Sequence, residues 1–208
     1  MIRFLEKNYR KMEEIIRVLS ISDKWMTKKE LARHIGSSES TFIRYIEEIK
    51  QRWGNVLTIK TSHKLGYRLE NFNATLYLQI LTDMARTSTT TQLLHEFIQQ
   101  PGKTIDYYCE AINISRSSFA RKLKHCNKVL AAYSLRVIVD RGYQLTSQDD
   151  ELSLRIFTTY FFLMYYGHCD LPYYFDKQEL KQVMRRNHCI LNSISLDNSY
   201  EHDFFIMY

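Results

Sequence analysis

The stretch that decides the fold is TKKELARHIGSSESTFIRYIEEIKQRWGNVLTIKTSHKLGYRL, residues 27–69. Thr27, followed three positions later by Glu30, forms a capping box: the hydroxyl accepts one free helix amide, and the carboxylate reaches back to another. The short helix it opens turns Leu31, Ala32 and Ile35 inward, and Gly36 ends it. Ser37 or Ser38 caps a further helix to about Trp53, whose apolar residues Phe42, Ile46, Ile49 and Trp53 recur at helical steps, widened by Ile43. Its other face carries Glu39, Ser40, Arg44, Tyr45, Glu48 and Arg52. Beyond Gly54 the period changes. Residues 56–60 and 65–69 read as strands, with a polar turn over 61–64. Upstream, Tyr9, Met12, Ile15, Ile16 and Leu19 predict a helix over about 6–20.

Helix, short helix, tight turn, helix and hairpin is the order of a winged helix-turn-helix unit. The chain contains the pattern twice. TIDYYCEAINISRSSFARKLKHCNKVLAAYSLRVIVDRGYQL, residues 104–145, repeats 27–69 at a constant offset of 77 as far as the wing. Thr27 meets Thr104, and Ile35 meets Ile112. Ser38, Ser40 and Thr41 meet Ser115, Ser117 and Ser118. Phe42 meets Phe119, and Arg44 meets Arg121. One residue is then lost in the hairpin, where a deletion costs little. Gly66 and Tyr67 meet Gly142 and Tyr143 at an offset of 76. The helical stretch leading into the second unit spans about 74–100, with a break near 87–91.

The expected fold is therefore mainly α with small β-hairpin wings. It has a first winged unit over 1–72, a second over 73–147 and a helical regulatory or dimerisation segment over 148–208. In that last segment Asp149, Asp150 and Glu151 favour a helix start through the dipole, followed by an aromatic run to Gly167. A further amphipathic helix is expected over 177–187.

Only 6 glycines and 2 prolines occur among 208 residues, too few for a loop-rich sandwich or a glycine-cradled nucleotide enzyme. No nucleophile elbow, Walker loop, HExxH or Rossmann fingerprint is present, so no catalysis and no cofactor are expected. The start of the chain carries charges where a signal peptide needs an apolar core, and the apolar run over 156–166 is too short to span a bilayer. Cys109, Cys126, Cys169 and Cys189 show no CxxC spacing and read as reduced thiols in a cytoplasmic protein. The dipeptides His168-Cys169 and His188-Cys189 lack any further ligand spacing, so no metal is expected.

The net charge of +6 is uneven. Residues 1–69 hold 15 Lys and Arg against 8 Asp and Glu, and residues 70–145 hold 9 against 6. Residues 146–208 reverse the balance at 5 against 9. A basic front joined to an acidic tail points to a polyanion-binding part and a part with another task. The expected partner is double-stranded DNA, read by recognition helices over about 38–53 and 115–130, each sized for a major groove. The candidate contacts in the first unit are Lys28, Lys29, Ser38, Ser40, Thr41, Arg44, Tyr45 and Lys64. In the second they are Arg116, Ser117, Ser118, Arg121, Lys122 and Arg141. Arg44 and Arg121 are the candidates for base edges, since a guanidinium donates two bonds to guanine. Hydroxyls and lysines suit phosphate oxygens, with Arg33, Lys60, Arg68, Lys124 and Lys128 as further candidates. The same residues also fit ordinary solvated helix faces. Phe42 and Phe119 begin apolar stripes and read as core anchors, with Tyr67 and Tyr143 at the wing bases.

The two unit spacings, SESTFIRYIEEI, SRSSFARKLKHC and the paired Gly-Tyr-x-Leu wings resemble the Mga-type transcription regulators of Gram-positive bacteria, a group that includes virulence regulators. The likeness covers about residues 1–165. It implies sequence-specific DNA binding, and control by phosphotransferase-system proteins through domains that follow the DNA-binding region. The aromatic helix from Asp150 looks like the start of the first such domain. The chain is too short to hold the rest, as a shortened or truncated relative would be, and the resemblance makes His168 and His188 candidates for phosphorylation. Self-association through the C-terminal segment is expected. A plasmid replication initiator with paired winged helices and a winged-helix protein-interaction scaffold are the alternatives.

Overall fold

A computed structural model describes residues 2–22, 24–148 and 151–167. The helix expected over 177–187 and the two His-Cys dipeptides lie outside the described residues. The architecture is mainly helical with two small antiparallel hairpins. A 3-10 turn over Ile2–Phe4 precedes α1 (Lys7–Ile21), α2 (Lys28–His34) and α3 (Glu39–Trp53). Strands β1 (Thr58–Ser62) and β2 (Gly66–Glu70) form the first wing. Then come α4 (Ala74–Thr87), α5 (Thr89–Gln99), α6 (Ile105–Ala111) and α7 (Arg116–Leu130). Strands β3 (Leu135–Val139) and β4 (Tyr143–Ser147) form the second wing, and α8 (Glu151–Tyr166) follows.

Local chemistry explains the boundaries. Thr27 caps α2 by accepting from the Glu30 amide, while the Glu30 carboxylate accepts from the Thr27 amide at 2.8 Å. The Thr27 amide and hydroxyl hold the Glu30 carboxyl below its ordinary range. Ser38 and Ser115 cap α3 and α7 with the same backbone angles, φ −73° and ψ 156°, each accepting from the amide three residues on. The long helical stretch breaks at Ser88, whose hydroxyl caps α5 by accepting from the Thr91 amide. The wings start about two residues later than the sequence pattern predicts for β1. Val56 and Leu57 instead donate backwards to the Trp53 carbonyl, prolonging the turn after α3.

The repeat extends to tertiary detail. In each unit the strand after the wing turn also bridges to the residue pair preceding the short helix, Met26 with Tyr67 and Lys103 with Tyr143. Phe42 meets Tyr67 edge-on at 5.1 Å, and Phe119 meets Tyr143 edge-on at 5.0 Å. Both phenylalanines are buried, as core anchors should be. Equivalent positions on α3 and α7 tie the helix to the wing: Lys50 Nζ donates to Thr61 Oγ1, and Asn127 makes two bonds to the Val137 backbone. The second unit is richer in aromatics. Tyr108 stands where the first has Leu31, and its hydroxyl donates to the Gln100 carbonyl at 2.6 Å.

Packing crosses the sequence boundaries expected at 72 and 147. One core gathers α1, α2, α3 and the first wing together with Ile80, Leu81 and Met84 of α4. The other gathers α5, α6, α7 and the second wing with Phe157, Phe161 and Phe162 of α8, and with Phe4 from the start of the chain. Cys109 and Cys126 are free and buried, and burial pushes the Cys126 thiol up to about 12, so it stays protonated and inert. Among the described residues no helix is long and apolar enough to cross a membrane.

Glu6 lies at the seam between the cores, with its Oε1 2.8 Å from Lys122 Nζ. Burial alone would push its carboxyl up, but hydrogen bonds from Lys122, Ser88 and Thr89 outweigh this and hold it at about 2, against an ordinary 4.5. A carboxyl depressed on folding stabilises the protein fully above pH 4.5, and that stability is lost as pH falls toward about 2. Urea unfolding midpoints followed across this window should therefore drop. Lys122→Met, which removes the cation holding the carboxyl down, should show a smaller acid loss over the same range. Parallel curves would contradict the pairing.

Candidate nucleic-acid interface

The helix-turn-helix geometry is set by caps and core stripes. Because Ser38 and Ser115 accept from the amides of Thr41 and Ser118, the first turns of α3 and α7 are fixed with their outer residues in solvent. Arg44 and Arg121 occupy matching positions on these exposed faces, and neither forms an ion pair among the described residues. The Arg44 guanidinium stands 5.5 Å from the Tyr45 ring centre, while Arg121 donates to Ser118 Oγ at 3.1 Å. Both contacts are local and leave the donor fork on the surface.

The hydroxyls are partly committed. Ser38 and Ser40 share a bond of 3.0 Å, as do Ser115 and Ser117, and Ser38 donates to Thr41 Oγ1. Each still presents an exposed or half-exposed oxygen at a helix N-terminus, where backbone amides also favour anions.

The cations divide into two sets. Lys29, Lys64, Lys124, Lys128 and Arg141 are exposed and make no ion pair among the described residues. Arg141 sits in the second wing turn with φ 53°, and Lys64 is in the turn of the first. Other candidates already have carboxylate partners. Lys28 Nζ lies 3.0 Å from Glu39, and Arg116 grips Asp106 through Nε at 2.9 Å and Nη2 at 2.6 and 2.8 Å. Glu39 and Arg116 are equivalent positions, while Asp106 matches Lys29, one residue on from Lys28, so both units bridge short and long helix at the start of the long one, with the charges reversed and the short-helix partner shifted by one. Lys60 pairs with Glu70 at 2.9 Å. All these pairs are exposed and add little to stability, but each lowers the charge that a phosphate would meet.

Two candidates are corrected. Tyr45 is only 7% exposed and belongs to the first core. Its spacing carried the signal, since it lies three residues after Phe42 and four before Ile49, on the same stripe. Lys122, the equivalent position in α7, points into the seam toward Glu6 with its side chain 18% exposed. That partner is 116 residues away in sequence, and no local pattern shows it. No motif marks Glu6 in the sequence, because its role comes from this distant contact.

Residues 73–166, from the threshold of α4 to the end of α8, match the family model of the Mga helix-turn-helix domain. The match takes in α8, the helix that looked like the opening of a separate regulatory domain. Over 181 residues, 85% of the chain, the sequence is 23% identical to the capsule synthesis positive regulator AcpB of Bacillus anthracis. The aligned region spans 36% of that regulator's length. Among solved structures, ScpB from Mycobacterium tuberculosis superposes at a TM-score of 0.27 with 15% identity, covering 72% of this chain and 96% of that one. That superposition is too loose to bear on function. Residues 73–166 are thus similar to a Mga helix-turn-helix domain, the regulator type that the paired motifs resemble.

Proposed function

We propose that this protein is a transcription regulator that binds double-stranded DNA in a sequence-specific manner through two recognition helices, α3 and α7. The observation that carries this reading is the duplicated surface. Two units with the same cap, the same Phe–Tyr wing base and the same exposed arginine present one kind of groove-reading face twice. Arg44 and Arg121 read base edges, the flanking hydroxyls and Lys29, Lys124 and Lys128 hold phosphates, and Lys64 and Arg141 reach the backbone from the wings. Lys28 and Arg116 contribute only where a phosphate displaces Glu39 or Asp106. Its place of action is the compartment that holds the DNA, the bacterial cytoplasm. Self-association through 148–208 and control by phosphotransferase-system proteins complete this reading, though residues 168–208 lie outside the described structure.

Anisotropy titrations on a labelled duplex test it. With about five phosphates neutralised, raising salt from about 50 to about 200 mM should weaken binding about 500-fold. No binding at low salt, or binding indifferent to salt, refutes the proposal. Footprints confined to repeats at a plasmid origin would favour the replication-initiator alternative.

A further inference from the structure

The two units exchange segments. Phe4, at the start of the first unit, is fully buried in the second core and meets Phe157 of α8 at 5.9 Å. The Arg3 carbonyl lies 3.0 Å from His125 Nε2 on α7. In return α4, which leads the second unit in sequence, docks on the first. Its Asp83 accepts from Trp53 Nε1 at 2.8 Å, and its Tyr77 hydroxyl donates to Glu13 of α1. Each core is completed by chain from the other unit, so the joint between them is a packed interface.

Glu6 is the centre of that joint. Its Oε1 accepts from Lys122 Nζ at 2.8 Å, Thr89 Oγ1 at 2.8 Å, and the Thr90 amide and hydroxyl at 3.0 Å each. One carboxylate oxygen thus gathers the N-terminus of α1, the first turn of α5 and the recognition helix α7. Lys122 follows Arg121 directly, so the turn of α7 that carries the exposed guanidinium is the turn held by Glu6. The equivalent residue in the first unit, Tyr45, is buried in its own core. In the first unit α3 meets the other unit only at its far end, where Trp53 donates to Asp83, so among the described contacts Glu6–Lys122 is the charged one at the turn that carries the exposed arginine.

We infer that Glu6 is a positioning residue that holds the second recognition helix at a set distance and angle from the first, so that the protein reads two DNA elements at one separation. This rests on the DNA-reading function proposed above. A loose joint lets two heads engage elements at many separations, whereas a packed joint reserves the gain from linkage for the single separation that matches its geometry. The discriminated feature is then the spacing and helical phase of two elements as well as their sequence.

The test has a DNA-free arm and a DNA arm. In the first, spin labels at positions 47 and 124, attached through unnatural amino acids so that the native cysteines stay in place, report the distance between α3 and α7 in the full chain. The wild type should give one narrow distance distribution, and Glu6→Gln a broadened or shifted one. Lys122→Met, which keeps the stem volume, should do the same, and it serves if Glu6→Gln does not fold. Circular dichroism confirms equal helix content. In the second arm, the wild type selects two-element sites from a pool of random duplexes. Inserting about 5 bp, half a helical turn, between the elements should weaken wild-type binding about 100-fold but the variants less than about tenfold. Affinity for either element alone should be unchanged, which a merely destabilised protein would not show. Unchanged distance distributions in both variants overturn the inference, whatever the DNA does. Altered distributions with undiminished phase dependence overturn its link to spacing. A wild type that selects no two-element site refutes the two-headed reading, with the first arm still reporting whether Glu6 holds the joint.

Discussion

Arg44→Ala combined with Arg121→Ala should leave a folded protein that binds specific and random duplexes almost equally. Both side chains are exposed, neither is in an ion pair among the described residues, and their loss removes only the Arg44 contact with the Tyr45 ring and the Arg121 hydrogen bond to Ser118. A bidentate arginine–guanine pair contributes about 1–3 kcal/mol of discrimination, so two together amount to roughly 2–6 kcal/mol, or at least about 30-fold in the specific-to-random ratio. Competition binding on a selected site and on random duplex measures that ratio. Lys29→Ala is the control: an exposed lysine that meets phosphate should weaken both duplexes alike and reduce the salt slope by about 1. If the arginine pair lowers both affinities by the same factor, the two guanidinia are phosphate contacts and the base-reading assignment falls. Lys28→Ala is a poorer control, because the Glu39 bridge already absorbs part of its charge.

Gly142→Ala should cost about 2–4 kcal/mol, combining backbone strain with overpacking against a fixed carbonyl. Gly142 has φ 135°, and an added Cβ would overlap the carbonyl of Gly102. That carbonyl cannot give way, since the Gly102 amide donates to the Tyr143 carbonyl and Lys103 bridges to Tyr143. The melting temperature should fall by roughly 4–16 °C for a chain of this size. Gly66→Ala should behave alike, because Gly66 has φ 100° and faces the Met26 carbonyl in the matching place. Gly36→Ala separates the two causes: its φ is 56° but nothing lies within 4 Å, so only the conformational penalty of about 1–2 kcal/mol applies. Equal losses at 36 and 142, measured by calorimetry, would show that close backbone approach is not what binds wing to helix.

The helix-turn-helix order was legible because its determinants are local. A capping box spans four residues, an apolar stripe declares itself over two turns, and a hairpin follows from a change of period. The offset of 77 then transferred each assignment from one unit to the other, and Phe42 and Phe119, Tyr67 and Tyr143 occupy matching places in the structure. Tyr45 was misplaced for a local reason. A stripe taken at Phe42, Ile46 and Ile49 also includes the position between the first two, and an amphipathic ring next to Arg44 invites assignment to the polar face. The Asp106–Arg116 and Lys28–Glu39 bridges were harder to see, because each joins two helices across a turn whose angle must be known before the partners meet.

From the amino-acid order alone followed the two winged units, their caps and anchors, and the outward placement of Arg44 and Arg121. Each of these depends on neighbours within about two helical turns, where periodicity dictates which face is apolar. Folding in three dimensions decided which lysines and arginines keep a free charge and how the units are joined. Phe4 enters the far core, and Glu6 captures Lys122 from 116 positions away. Desolvation and Coulomb attraction act through space, so the partner of a charge is chosen only when distant segments have been brought together.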